Sequence, residues 1–273
     1  MSEGKPLTDA EIHVFRKKYL EQVEFGYWQE RLFTAYRRYE KFKKPENKAK
    51  YLVEIYSLYI QVVEILLVNM YALTVSPQDF LASLAVSNQE IREFGEKIRD
   101  NRKFLQDFTH NFLYKIRGVA RIDDESKKKI EFDIDLLRES LKDYLDNYGF
   151  LNSYKHGFRV HSTHGENYLS IGTSPDNMMR IFSGDSMLTY YEFKKIDGEL
   201  SVSEVRLTFN NMRIVTKALF IVYYLQNMRI GALAAYKPKK VQYPIFYIKD
   251  LEAWKKDFGG TRFTSELFRV IKV

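Results

Sequence analysis

The chain contains no cysteine. Disulfides and thiolate metal sites are thereby excluded, and nothing in the composition speaks for an oxidising compartment. No P-loop, no G-x-G-x-x-G after a strand, no H-E-x-x-H and no G-x-S-x-G occurs, so no cofactor is expected. No window of roughly 18 residues is uncharged and apolar, so no membrane span is expected. The most apolar run, 218–225, is bounded by Lys217 and Gln226. The first residues, MSEGKPLTDAEIHVF, lack a basic-then-apolar signal pattern. These absences together predict a cytoplasmic protein. No internal repeat and no low-complexity tract is present.

What is abundant is aromatic and aliphatic. Tyr and Phe number 20 each, and 45% of the 273 residues are hydrophobic, which is enough to build a real core. The net charge of +7 is unevenly placed along the chain. Residues 1–147 hold 25 Lys and Arg against 25 Asp and Glu. Residues 148–273 hold 18 against 11. A polyanionic partner, if there is one, should therefore meet the second half.

The first half reads as long amphipathic helices. Thr8 with Glu11 forms a capping box, and the helix after it runs toward Tyr39 with a bend at Gly26. Residues 41–45 are a charged link. Residues 46–73 carry two apolar rows at helical spacing, one through Tyr51, Ile55, Leu58, Val62, Leu66 and Met70. A helix apolar on two faces belongs at the centre of a bundle. Ser76-Pro77 opens a short helix. Ser87 with Glu90 caps another, which runs to about Arg117, and a last helix covers 125–147. His13 and His110 fall in helical patterns. The paired carboxylates Asp123-Asp124 and Asp133/Asp135 read as solvated surface.

After Tyr148 the pattern changes. Residues 168–171 and 179–182 read as short strands. Asp197-Gly198 between 187–196 and 199–209 is a hairpin signal. Residues 212–228 read as an apolar helix, with a strand alternative for 219–225. Lys237 to Lys240 is a basic loop, 244–248 a strand, 251–258 a small helix and 263–273 an extended end. The predicted fold is mainly α: an N-terminal antiparallel helical bundle over 1–150, then a smaller α+β part over 151–273, built on an antiparallel hairpin and packed on the bundle.

The candidate chemistry lies in 148–172, YGFLNSYKHGFRVHSTHGENYLSIG, which holds three of the five histidines. Asn152-x-x-Lys155-His156 follows a long amphipathic helix and precedes Arg159-x4-His164. This arrangement resembles the HEPN superfamily of helical-bundle proteins, marked by an R-x(4–6)-H motif. The resemblance implies a helical bundle, a homodimer with paired motifs, and metal-independent RNA cleavage. Arg159 would then stabilise the developing charge on the scissile phosphate, and His164 would move a proton. Asn152, Lys155 and His156 would hold the phosphate or the RNA. In the family the motif sits on or at the start of a helix, whereas 160–163 and the glycines at 157 and 165 favour extended chain here.

Two other readings stand beside it. His156, His161 and His164 with Glu166 could hold Zn²⁺ or another transition metal, which would make a metal-dependent hydrolase. Alternatively the histidines are polar loop residues, Lys155 and His156 capping a helix that closes at Gly157. The chain would then be a protein-interaction or self-association module. The expected partners are accordingly RNA or a second protein.

Overall fold

The computed structural model describes residues 8–74, 83–111, 124–155, 160–171, 179–196, 199–234 and 261–270. The fold is mainly helical in the first half, with an antiparallel sheet and one further long helix in the second. The chain divides into two compact units, each drawn from three stretches of sequence. Unit 1 comprises Met1–Gln29, Val62–Leu145 and Phe220–Phe246. Unit 2 comprises Glu30–Gln61, Asp146–Leu219 and Tyr247–Val273.

Helices α1 (Asp9–Gln22) and α2 (Gly26–Lys41) replace the single bent helix expected there. The break falls where Val23 turns extended, at ψ 121°, just before Gly26. The Thr8 capping box is present: the Thr8 amide donates to Glu11 Oε2 at 2.7 Å, and the Glu11 amide donates to Thr8 Oγ1 at 3.4 Å. Helix α3 (Pro45–Thr74) opens with proline at its first position, where a missing N–H costs nothing. By length and composition α3 is the one described helix able to cross a membrane. Yet 61% of its most apolar window is buried inside the fold, as in a core helix.

The helix expected over 88–117 is two helices, α4 (Asn88–Arg99) and α5 (Arg102–Thr109). Asn101 separates them, because its side chain accepts from the Phe104 amide at 3.0 Å and so caps α5. Residues 112–123, including the expected end at Arg117, lie outside the described residues. So do Ser76-Pro77 and the elements expected at 237–258. Helix α6 (Asp124–Asp146) matches the last amphipathic pattern of the half.

Unit 1 is held by polar ties as well as a core. Gly95 of α4 lets Leu67 and Leu145 close in; a Cβ there would sit 3.3 Å from Leu145 Cδ2. Arg102 of α5 pairs with Glu131 of α6 and reaches Asp135 at 3.6 Å. Arg229 Nε donates to the Leu20 carbonyl at 2.6 Å and Nη2 to that of Glu21 at 2.9 Å. Those carbonyls end α1, and a guanidinium satisfies them and complements the helix dipole there.

Unit 2 carries helix α7 (Tyr148–Lys155) and a sheet of β1 (Val160–Ile171), β2 (Met179–Ile196), β3 (Glu199–Phe209) and β4 (Thr261–Val270). The order is β1-β2-β3-β4, with every pair antiparallel. Residues 197–198 lie outside the described residues. The pairing of Ile196 with Glu199 is that of the hairpin their sequence signals. The short strands expected at 168–171 and 179–182 are the far ends of two long ones. β4 takes up the extended end of the chain. Helix α8 (Asn211–Ala234) follows β3 in the chain and is shared by the two units, and residues 219–225 are helical within it. The Asn210 side chain accepts from the Arg213 amide at 3.3 Å and starts it. Burial of Phe220, Ile221, Val222 and Leu225 overrides the strand propensity of these residues.

The two capping boxes set an acid limb to stability. The Ser87 box repeats the Thr8 geometry, at 2.9 and 3.3 Å. In each, the hydroxyl and then the amide of the cap hold the glutamate below its ordinary value of 4.5. A depressed carboxyl contributes stability above its unfolded pKa and loses it as pH falls through the folded one. Urea midpoints of the wild type should therefore decline more steeply below about pH 4.5 than those of Glu11→Gln/Glu90→Gln. Parallel declines would remove the boxes as the cause.

Candidate functional site

The candidate stretch sits in unit 2, and an aromatic cluster positions it. In α7, Phe150 and Leu151 are buried while the backbone turns away from α6 through a bond from the Phe150 amide to the Asn147 carbonyl, 2.9 Å. The Phe150 ring meets Tyr56 edge-on at 4.9 Å and Tyr190 of β2 at 5.8 Å, and stacks on Tyr154 at 6.1 Å. Tyr56 in turn stacks on Phe209 at 5.3 Å. One side of α7 is thus fixed to α3 and to the inner face of the sheet. Tyr190 hydroxyl donates toward Asn147 Oδ1 and Glu192 Oε1, at 3.5 and 3.4 Å. Glu192 lies directly against Gly149: a Cβ there would be 2.7 Å from Glu192 Oε1.

Asn152 and Lys155 stand on this helix, and His164 stands on β1. Arg159 and His156 lie outside the described residues, so the structure brings His164 and Arg159 neither together nor apart. The expectation of extended chain at 160–163 is met by β1, and the second half of the R-x4-H spacing is strand. His161 is exposed and pairs across the sheet with Thr189. His164 pairs with Ser186 at the lip of a bulge, after which the register resumes at Asn167 opposite Gly184. Among the described residues, no group of three or more His, Asp and Glu stands close enough to hold a metal ion.

β1 is tied to a second feature that residue-by-residue motif reading passes over. The Ser162 hydroxyl donates to the Ala49 carbonyl in the first turns of α3. There α2 and α3 make a tight helical corner through Phe42, Lys43 and Lys44. Phe42 stacks on Tyr51 at 5.5 Å, Tyr36 stacks on Tyr39 at 6.1 Å, and Lys48 Nζ lies 4.7 Å from the centre of the Tyr39 ring. The Lys44 carbonyl accepts from the Asn47 and Lys48 amides, both at 3.1 Å, which starts α3. Residues 36–50 hold seven Lys and Arg against two Glu. The signal is legible in the sequence, but an average over 1–147 cancels it.

No family model, curated protein or solved structure matches the chain.

Proposed function

We propose that the chain binds RNA, and cleaves it without a metal, through the 152–164 stretch of unit 2, acting as a cytoplasmic homodimer. The observation that supports this reading is how charge sorts by fold unit. Unit 2 holds 22 Lys and Arg against 16 Asp and Glu, so +6 of the +7 falls in the unit that carries the stretch. A polyanion is drawn to such a unit and releases counterions on binding.

In the chemistry of this reading the ribose 2′-oxygen attacks phosphorus and the bond to the 5′-oxygen breaks. Arg159 meets the charge that develops on the phosphoryl oxygens. His164 handles a proton, taking it from the 2′-hydroxyl or giving it to the departing 5′-oxygen. Asn152, Lys155 and His156 hold the strand.

The test is cleavage of RNA by the purified chain, with and without EDTA, beside a folded Arg159→Ala/His164→Ala variant. The expected result is EDTA-resistant cleavage reduced about 100-fold or more in the variant, the scale of general acid–base catalysis. Cleavage abolished by EDTA would instead favour a metal site at His156, His161 and His164. RNA bound but never cleaved would leave binding alone.

A second reading rests on exposed apolar groups. Val14 and Phe15 of α1 and Tyr27 of α2 are 62%, 48% and 55% exposed. Surface of this kind suits a protein partner or self-association.

A further inference from the structure

We infer that the α2–α3 corner is the surface that tracks the RNA backbone, with Arg37, Arg38, Lys43 and Lys44 as its phosphate contacts. The inference rests on the RNA reading above and adds a site to it.

Four observations converge on the corner. Its cations are exposed: Arg37, Arg38, Lys41, Lys43, Lys44 and Lys50 all reach solvent. Among the described residues none of the six is engaged in an ion pair, whereas Arg99, Arg102, Arg138 and Arg206 all are. The scaffold beneath is fixed, since the stacked rings join the end of α2 to the start of α3. Charges held on a rigid corner lose little freedom when they meet a ligand. The dipole of α3 adds positive potential at its first turn, which favours an anion further.

This run differs from an ordinary solvated helix face such as the start of α6. Lys127, Lys128 and Lys129 form a denser lysine run at the start of α6. They sit in a stretch, 123–135, with three lysines against six acids. That field cancels, whereas the field of 36–50 does not. The corner also joins the candidate stretch directly, through the bond from Ser162 to the Ala49 carbonyl. A strand tracked along the corner is thereby led toward β1. The chemistry fits RNA better than an anionic membrane. Tyr36, Phe42 and Tyr51 are half-buried against other rings, so the corner has no apolar anchor to insert into lipid.

The experiment measures binding of a labelled single-stranded RNA 20-mer to the full chain between 50 and 200 mM KCl. It compares the wild type with Arg37→Gln/Arg38→Gln/Lys43→Gln/Lys44→Gln and with a control, Lys127→Gln/Lys128→Gln. Circular dichroism confirms the fold of each. For the corner variant, the slope of log K against log salt should shrink by about 3, from about 0.7 per lost phosphate contact on a single strand. The Arg37/Arg38 and Lys43/Lys44 pairs should each account for about half of that shift. The control should match the wild type. A corner variant with wild-type affinity and slope would overturn the inference and leave the RNA reading standing. A wild type that binds no RNA would overturn both. A wild type that binds 70:30 phosphatidylcholine–phosphatidylserine vesicles more tightly than RNA would assign the corner to lipid instead.

Discussion

Replacing Tyr56 by alanine should destabilise the protein by about 3–5 kcal/mol, the range for removing a fully buried large aromatic. Tyr56 is 3% exposed and stands at the centre of the unit 2 core. Its ring touches Tyr59 of its own helix at 6.0 Å, Phe150 of α7 at 4.9 Å and Phe209 at the end of β3 at 5.3 Å. Helix, short helix and sheet therefore share one residue. Alanine would leave a void bounded by rings, and rings cannot bend to fill it. The aromatic pairs contribute about 0.5–1.5 kcal/mol each beyond their area, which places the cost toward the upper end. Urea unfolding of Tyr56→Ala and Tyr56→Phe checks this. Tyr56→Phe keeps the ring and should lose much less. Equal losses in the two variants would mean that the hydroxyl, not the ring, carries the stability.

The same residue shows what could be read from sequence. Tyr56 belongs to the second apolar row of α3, and that row is legible because a helix puts residues three and four apart on one face. The capping boxes at Thr8 and Ser87 are legible for a similar reason, since each is made by residues three apart. The long strands are a different matter. Ser183-Gly184-Asp185-Ser186 has the composition of a turn, yet it lies inside β2. It stands opposite the place where β1 bulges between His164 and Asn167, the register resuming with Asn167 opposite Gly184. A bulge depends on the partner strand, so one strand's sequence does not announce it. The fourth strand is distant for the same reason: β3 pairs with residues some 60 positions later.

The candidate site was legible only as a stretch. Three histidines near an arginine mark 148–172, but the placement of α7 depends on Phe150 finding Tyr56 and Tyr190, neither of them near in sequence. The α2–α3 corner was hidden by averaging. Residues 1–147 are neutral as a block, and the basic corner emerges only when charge is counted over a short window such as 36–50, or by compact unit, rather than by half of the chain.

The second large effect falls in unit 1. Tyr224→Phe should cost about 1–3 kcal/mol, although it removes a single oxygen. The Tyr224 hydroxyl and the Thr109 hydroxyl share a hydrogen bond of 2.9 Å, and Thr109 is 0% exposed. Phenylalanine would leave a buried hydroxyl without that partner, and the cost is the desolvation of that group. The ring itself would stay, stacked on Phe108 at 6.5 Å and tilted on Phe220 at 5.9 Å. Burial pushes the Tyr224 phenol well above the ordinary tyrosine range, with the charge of Asp133 acting in the same direction. The hydroxyl therefore stays protonated across the working pH range, and the bond does not titrate. The pair isolates cleanly in a double-mutant cycle with Thr109→Val, which removes both partners together. The double variant should be more stable than the sum of the two single losses predicts, because neither hydroxyl is then left buried alone. The difference between Tyr224→Phe and wild type should be the same at pH 6 and pH 9. A loss that grows with pH would show that the phenol ionises in the folded chain, and additive single losses would show that the two hydroxyls do not depend on each other.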